Sequence, residues 1–287
     1  MKLTNDIITL EMNEHGAELV SLKKDGREYL WTGDAQYWNR YAPILFPAVG
    51  KPYNNELHVD GKTYPMKQHG FARDSEFEDL GEGRLRMKES DLSASYPYRL
   101  GLEVQYQLED RKVEAVWTVE NLDNKDAHFQ IGAHPGFLLP DYNAADEIHG
   151  YVRYRDREGR PVNPVVVSSL KEGNRVPLDT PNSFKSEMPL KADTFAHDAL
   201  MFEGGQVTEA VLCDKAGAPV LGVSCPQAEA YGIWAPHKEG CPFVCLEPWC
   251  GICDPYGFTG DISTRQYIHR LAPSEEYHFT YTIEIYK

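Results

Sequence analysis

The strongest constraint on the fold of this chain is an alternation of apolar and polar residues with a period of two. It recurs in short segments that are separated by Gly, Asp, Asn and other turn-forming residues. Successive side chains of a β-strand point to opposite faces of the sheet, so this period is typical of strands with one buried face. No window of about 12 residues keeps the apolar stripe of an amphipathic helix. We therefore expect an all-β fold.

Consecutive segments pair as antiparallel hairpins. The first predicted hairpin joins residues 7–12 to residues 17–22, and an Asp60-Gly61 turn closes the second. Further strands are predicted at residues 99–108, 112–122, 209–214, 219–225 and 277–286. Residues 170–189 are expected to be loop-like, with short helical turns. Many short strands joined by hairpins are typical of a sandwich or barrel. The sequence has no repeat of about 20–50 residues, which argues against a propeller.

The length of 287 residues fits either two average domains or one large β domain. No internal stretch is rich enough in Pro, Gly or Ser to act as a linker. Hydrophobic residues make up 41% of the chain and charged residues 25%, which is ordinary for a globular protein. We predict one domain over residues 1–287, folded as a large antiparallel β-sandwich.

The charge balance and the N-terminus restrict partners and compartment. The net charge is -15, and such a surface repels phosphate backbones and anionic lipids, so neither nucleic acid nor membrane is an expected partner. Residues 1–8 hold no apolar signal core, and no run approaches the ~18 apolar residues of a membrane span. We expect a cytoplasmic protein, monomeric or homodimeric, whose cysteines are reduced thiols.

Four segments interrupt the strand pattern with polar residues set among glycine, proline and aromatic residues. These segments are residues 68–74, 132–137, 195–200 and 246–249. Irregular backbone at strand ends exposes side chains to a cleft, so these histidines and carboxylates are candidates for chemistry. A single histidine beside glycine is more often part of a turn than a catalyst. Glu247 is more informative, because it interrupts an apolar strand and buried carboxylates are rare unless paired or functional.

Four cysteines near the C-terminus raise the possibility of a metal site. Cys241, Cys245, Cys250 and Cys253 have the spacing C-x3-C-x4-C-x2-C. Structural zinc sites generally use two close pairs of ligands separated by a longer loop, whereas residues 242–244 are predicted to be strand interior. We therefore expect buried thiols and no metal. Motifs for nucleotide cofactors and serine hydrolases are also absent, and no cofactor is predicted.

In their order and spacing these segments resemble the aldose 1-epimerase (galactose mutarotase) family, in particular its bacterial branch with the H-G-F-A-R motif. That motif is read here at residues 69–73. The likeness covers nearly the whole chain, including residues 38–47, 134–137, 247–249 and 271–275. It implies a β-supersandwich with an open sugar cleft and no cofactor.

The resemblance also implies catalytic roles. Glu247 matches the base that takes the proton from the anomeric hydroxyl, and His134 matches the general acid that protonates the ring oxygen. His69 matches a histidine that holds and polarises the ring-oxygen side of the sugar. Asp198, in a looser motif, matches a carboxylate that binds sugar hydroxyls.

One departure from the family concerns substrate binding. Galactose mutarotases carry an arginine where this chain has Lys51, and lysine lacks the planar fork of donors that arginine presents. Arg73 is expected to supply the guanidinium instead. Trp234 and Trp249 are candidates to stack on the apolar face of the sugar, and either could equally belong to the core.

The chemistry fits these residues independently of the resemblance. Opening a cyclic hemiacetal removes a proton from O1 and delivers one to the ring oxygen, which a carboxylate and an imidazole can do near neutral pH. We predict an aldose 1-epimerase acting on a free hexose or pentose. A hexose-6-phosphate mutarotase stays open and would need Arg40, Lys51 and Arg73 to converge. A non-catalytic carbohydrate-binding protein on the same fold is the other alternative.

Overall fold

The computed structural model describes residues 1–88 and 96–287. In chain order, the strands of the first half are β1 (Lys2–Thr4), β2 (Ile8–Met12), β3 (Leu19–Lys24), β4 (Arg27–Glu28), β5 (Ile44–Leu45), β6 (Glu56–Val59), β7 (Lys62–Pro65), β8 (Phe77–Gly81), β9 (Arg84–Met87), β10 (Leu100–Glu109), β11 (Lys112–Asn121), β12 (Ala127–Phe129), β13 (Ile131–Ala133) and β14 (Gly136–Leu138). Those of the second half are β15 (Tyr151–Arg155), β16 (Val165–Lys171), β17 (Asn174–Ser183), β18 (Glu187–Pro189), β19 (Leu200–Glu203), β20 (Glu209–Cys213), β21 (Pro219–Ser224), β22 (Ala230–Trp234), β23 (Phe243–Cys250), β24 (His269–Leu271) and β25 (Glu276–Ile285). Short 3-10 turns lie at Tyr53–Asn55, Ala72–Asp74 and Ile262–Thr264.

Two large sheets dominate the architecture. The nine-stranded sheet has the order β18-β15-β20-β21-β25-β11-β10-β9-β8, and the six-stranded sheet has the order β19-β22-β23-β13-β5, with β14 paired to β23. Strands β1 to β4 form a smaller sheet, and three ribbons pair β12 with β24, β16 with β17, and β6 with β7. The predicted all-β, antiparallel fold class is confirmed. No helix among the described residues is long and apolar enough to cross a membrane.

The predicted hairpins are present. Strands β10 and β11 pair from Leu100↔Asn121 to Glu109↔Lys112, and their buried residues alternate with exposed or half-buried ones as the sequence pattern predicts. The Asp60-Gly61 turn between β6 and β7 has φ angles of 50° and 74°. Two positive φ angles are what a two-residue type I′ hairpin turn requires.

The prediction for residues 170–189 is wrong. They do not form a loop with helical turns, because β16 and β17 form a hairpin and β18 follows it. The turn is Glu172-Gly173, with φ angles of 55° and 82°. Most of β17 is exposed, so it has no alternation of buried residues, and it contains two prolines. Proline is tolerated here because a two-stranded ribbon has two free edges.

Strand β23 is the central element for the candidate site. It lies between β22 and the β13–β14 pair, and all of its residues are buried. Burial on both faces explains why its sequence is a continuous apolar run rather than an alternating one. The two large sheets share one hydrophobic core, to which β23 contributes Leu246 and Cys250 while Trp117 and Phe279 come from the opposite sheet. A carboxylate on β23 is therefore held rigidly.

Candidate active site

A cleft of about 710 Å³ opens over strands β22 and β23. This volume is within the range of about 300–1,000 Å³ that is usual for small-molecule sites. Seven of its lining residues are those predicted from the sequence to form the site, namely Lys51, His69, Arg73, His134, Asp198, Trp234 and Glu247. Residues more than 190 positions apart are thus brought to one concave surface. Their roles in chemistry stay predictions.

Glu247 lies on the floor of the cleft, in the middle of β23 and opposite Gly232 of β22. Its side chain is 1% exposed, and neither carboxylate oxygen has a hydrogen-bond partner among the described residues. Burial raises the pKa of Glu247 well above its ordinary value, and the negative charge of Asp198 raises it further. The indole N–H of Trp249 slightly opposes this shift without being in hydrogen-bonding geometry. Glu247 is therefore a carboxyl group of increased basicity.

The indole of Trp249 forms part of the same floor. A Cβ atom on Gly132 of β13 would lie 2.7 Å from this indole, and one on Gly232 of β22 would lie 2.5 Å from it. The two strands that flank β23 therefore carry glycine where the ring needs space. Trp249 is 5% exposed, so its indole is fixed in the floor rather than free to move toward a ligand.

His134 follows β13 and lies beside Glu247. Its Nε2 atom is 3.2 Å from Oε2 of Glu247, although the two atoms are not aligned as a hydrogen bond. Burial lowers the pKa of His134 to about 3, and the positive charges of Arg73 and Arg40 contribute to the shift. Both shifts in the pair favour the uncharged state, with the proton on Glu247 rather than on His134.

Two tryptophans enclose the imidazole of His134. Trp38 stacks on it with ring centroids 4.9 Å apart and an interplanar angle of 29°, and Trp234 meets it edge-on at 5.6 Å and 81°. Trp38 also lines the cleft, yet sequence reasoning did not single it out as a site residue. The only sequence feature that pointed to Trp38 was its position in residues 38–47, one of the segments that resemble the family, because a single tryptophan in a loop belongs to no periodic pattern.

His69 also lines the cleft, with its ring centroid 5.6 Å from that of His134. Burial, followed by the charges of Arg73 and His134, lowers the pKa of His69 well below its ordinary value, so the ring is neutral near pH 7. Its Nδ1 atom accepts a hydrogen bond of 3.1 Å from the backbone N–H of Gly50. The proton of the neutral ring must then be on Nε2, which makes that atom a donor.

This tautomer also determines the orientation of Gln68. The side-chain amide of Gln68 lies 3.2 Å from Nε2 of His69. Because Nε2 carries a hydrogen, the amide oxygen rather than the nitrogen must face it.

The segment that sets the tautomer of His69 is anchored by a buried polar network. The carbonyl oxygen of Lys51 accepts hydrogen bonds from Nδ2 of Asn174 at 2.8 Å and from the backbone N–H of Asp254 at 3.2 Å. Asp254 is in turn paired with Arg265, whose Nε lies 2.6 Å from Oδ1, and both side chains are buried. Sequence reasoning missed this network, since isolated polar residues at a strand end or in a loop give no pattern that reveals their burial.

Arg73 approaches the cleft from the 3-10 turn Ala72–Asp74. Its Nη2 donates to the carbonyl oxygen of Gln68 at 2.6 Å, while its buried Nε has no partner among the described residues. Burial and the nearby charge of Arg40 lower the pKa of Arg73 to about 10. The guanidinium is thus still cationic at neutral pH.

The other two predicted cations differ in position. Nζ of Lys51 donates to the carbonyl oxygen of Glu172 at 2.8 Å at the cleft wall. Arg40 is paired with Asp74, with Nη2 2.7 Å from Oδ1, and is not among the residues that line the cleft. Lys51 and Arg73 therefore reach the cleft, whereas Arg40 acts on it through its charge and through a hydrogen bond of 3.3 Å from Nη1 to the carbonyl oxygen of Arg73.

Asp198 lies at the exposed rim of the cleft, just before β19. Its φ angle of 74° is in the left-handed region, which aspartate tolerates better than most residues. Its Oδ1 accepts a hydrogen bond of 2.9 Å from the N–H of Ala199. The second carboxylate oxygen is left for solvent or a ligand.

The four cysteines with zinc-like spacing do not gather at one point. All are free thiols. Cys241 precedes β23, and Cys245 lies with His134 and Glu247. Cys250, farther along β23, lies instead with Glu229 and His269.

Comparisons with known proteins show the family and the fold of the chain. The model of the aldose 1-epimerase family matches residues 1–284. The chain is 26% identical to the chromosomally encoded protein LacX of Lactococcus lactis, over 99% of both chains. Its structure is similar to that of a galactose mutarotase related enzyme from Lactobacillus acidophilus, with a TM-score of 0.87 and 27% identity over 100% of this chain and 97% of the other. It is also similar to the structure of a galactose mutarotase-like protein from Lactobacillus casei, with a TM-score of 0.86 and 27% identity over 100% of this chain and 99% of the other.

Proposed function

Because this chain belongs to the aldose 1-epimerase family, we propose that it interconverts the α and β anomers of a free aldose. The observation that carries the proposal is the contact of 3.2 Å between the imidazole of His134 and the buried carboxyl group of Glu247. One group can accept a proton and the other can deliver one within a single sugar ring.

The number of protons on this pair matters more than their resting position. The reaction needs one proton on His134 and none on Glu247. In the enzyme without substrate, the pair also carries one proton, but that proton is on Glu247, since the pKa of Glu247 is raised and that of His134 is lowered. The resting and reactive forms are therefore tautomers of one protonation state, and the pair titrates as a unit.

The proposed reaction then proceeds without a net change in the enzyme. Glu247 takes the proton of the O1 hydroxyl, the C1–O1 bond becomes a carbonyl, and the bond from C1 to the ring oxygen breaks. His134 protonates the leaving ring oxygen. Rotation about C1–C2 presents the other face of the aldehyde, and ring closure returns both protons with the roles of the two residues exchanged.

Other cleft residues are proposed to hold the sugar. The Nε2–H of His69 can exchange the amide oxygen of Gln68 for the ring oxygen of a bound sugar, and the cationic guanidinium of Arg73 lines the same cleft. Asp198 has an unengaged oxygen for sugar hydroxyls, and Trp234 presents an aromatic surface. Lys51 can donate to a hydroxyl at the cleft wall.

The cations of the cleft favour a free sugar over a phosphorylated one. Of the three cations that a phosphate was expected to need, Arg40 is paired with Asp74 away from the cleft lining. The cleft also holds the carboxylate of Asp198, whose negative charge opposes a dianion.

Polarimetry tests the proposal directly. Freshly dissolved α-D-glucose, α-D-galactose and α-D-xylose should each be followed with and without protein, beside glucose 6-phosphate. Acceleration with at least one free aldose supports the proposal. Acceleration with the phosphate alone would assign the other substrate class. Saturable sugar binding without any acceleration would make the protein a carbohydrate-binding relative.

A further inference from the structure

We propose that Glu229, Cys250 and His269 form a binding site for a divalent transition metal of the Zn²⁺ type, separate from the sugar cleft. One donor atom from each of the three side chains lies within 4.8 Å of the other two. Nε2 of His269 is 3.2 Å from Oε2 of Glu229. Zinc bonds of about 2.0–2.3 Å place the donors of a tetrahedral site roughly 3.3–3.8 Å apart, so small side-chain rotations suffice.

The chemistry of the three donors matches a borderline metal. Thiolate, imidazole and carboxylate are the ligand types that zinc uses in proteins. One thiolate and one carboxylate also neutralise a divalent cation, which suits a largely buried position. Cys250 is fully buried, whereas the side chains of His269 and Glu229 are 20% and 34% exposed. The partly exposed pair gives an ion a route to the thiol.

The fourth position on the ion is left to water, which can enter beside the partly exposed side chains of His269 and Glu229. The thiol of Cys225 interacts with that of Cys250, but it is not one of the donor atoms that lie within 4.8 Å of one another. Aromatic rings support the imidazole, with the centroid of Tyr277 4.6 Å and that of Phe129 5.6 Å from the His269 ring.

The position of the cluster indicates its effect. Cys250 ends β23, His269 begins β24, and Glu229 immediately precedes β22. Cys250 packs in the main core, while its neighbour Trp249 lines the cleft. A bound ion would therefore join three separate chain segments behind the cleft floor, and it would stabilise the fold without touching the sugar.

No sequence motif indicates this site, because its three ligands are not arranged in the close pairs of a zinc knuckle. Only Cys250 belongs to the C-x3-C-x4-C-x2-C spacing, and Glu229 and His269 lie 21 and 19 positions from it along the chain. The proposed site departs from the expectation, drawn from the spacing of the cysteines, that they are buried thiols without a metal.

Metal titration of the full chain tests the site. Chelator-treated protein should be titrated with Co²⁺, followed by the thiolate-to-cobalt charge-transfer band, and then with Zn²⁺ as competitor. We expect one Co²⁺ per chain and displacement by Zn²⁺. Cys250→Ser should abolish the charge-transfer band, and His269→Gln and Glu229→Gln should each weaken binding at least about tenfold. Cys241→Ser, which changes a thiol outside the cluster, is the matched control and should behave as wild type.

A second measurement guards against variants that do not fold. X-ray absorption of the wild-type protein loaded with one equivalent of Zn²⁺ should show sulfur together with nitrogen or oxygen in the first coordination shell. The proposal is overturned if no stoichiometric Co²⁺ binds, if the zinc shell contains no sulfur, or if Cys241→Ser rather than Cys250→Ser removes the band. Mutarotation assays are independent of each of these outcomes.

Discussion

Nε2 of His134 and Oε2 of Glu247 lie 3.2 Å apart on the floor of the cleft, in a pair whose pKa values are displaced in opposite directions. Burial disfavours a charge on either group, so the pair favours a single proton that both share. The same number of protons is needed to open a sugar ring by acid and base catalysis. The predictions below follow from this pair and from the packing that holds it.

The pH dependence of mutarotation should have a limb on the alkaline side. The pair holds one proton from the low pKa of His134, about 3, up to the raised pKa of Glu247. Above that upper pKa the shared proton is lost, and His134 has none to deliver to the ring oxygen. The values of kcat/KM, measured by polarimetry and corrected for buffer catalysis, should fall as pH rises above the pKa of Glu247. The pH dependence of kcat/KM reports the pKa values of the free enzyme. Activity that rises steadily with pH would contradict a shared proton.

Asp198→Asn should move the alkaline limb to lower pH. The negative charge of Asp198 raises the pKa of Glu247, so its removal makes the shared proton easier to lose. The overall rate should fall as well if Asp198 binds sugar hydroxyls, but that loss alone would leave the position of the limb unchanged. An unchanged limb in a folded variant would show that the two carboxyl groups are not coupled.

Glu247→Gln should be at least as stable as the wild type near neutral pH. The folded-state pKa of Glu247 is raised above its unfolded value, so the wild-type protein loses stability as pH rises from about 4.5 through the folded pKa. Each unit of elevation corresponds to about 1.4 kcal/mol. The stability gap, measured by urea denaturation, should be largest above the folded pKa and shrink as pH falls toward 4.5. A variant that is less stable at every pH would indicate a structural role for the carboxyl group.

Gly232→Ala should destabilise the protein by about 1–3 kcal/mol. The new Cβ would lie 2.5 Å from the indole of Trp249, whose ring is fixed in the floor. Gly101→Ala is the matched control in a strand, because its nearest neighbour at 3.3 Å is the end of the Leu122 side chain. Chemical denaturation of both variants distinguishes the positions, and equal losses would mean that the indole can move aside.

The strand pattern could be predicted where strands have one buried face, as in β10 and β11. The prediction failed for β17, because most of its residues are exposed and its sequence therefore shows no alternation of apolar and polar residues. The site residues could be named because Glu247 interrupts an apolar run and the resemblance supplied the partners. The network of Asn174, Asp254 and Arg265 could not be found, because its burial depends on loops that meet only after folding.

The most direct test of the central claim is polarimetry of Glu247→Gln beside wild type and Glu120→Gln, which changes an exposed carboxyl group on β11. An amide cannot accept the anomeric proton, so Glu247→Gln should lose at least about a hundredfold in kcat while remaining folded. The Glu120 control should retain the wild-type rate. A folded Glu247→Gln protein that accelerates mutarotation as fast as wild type would contradict the proposed mechanism.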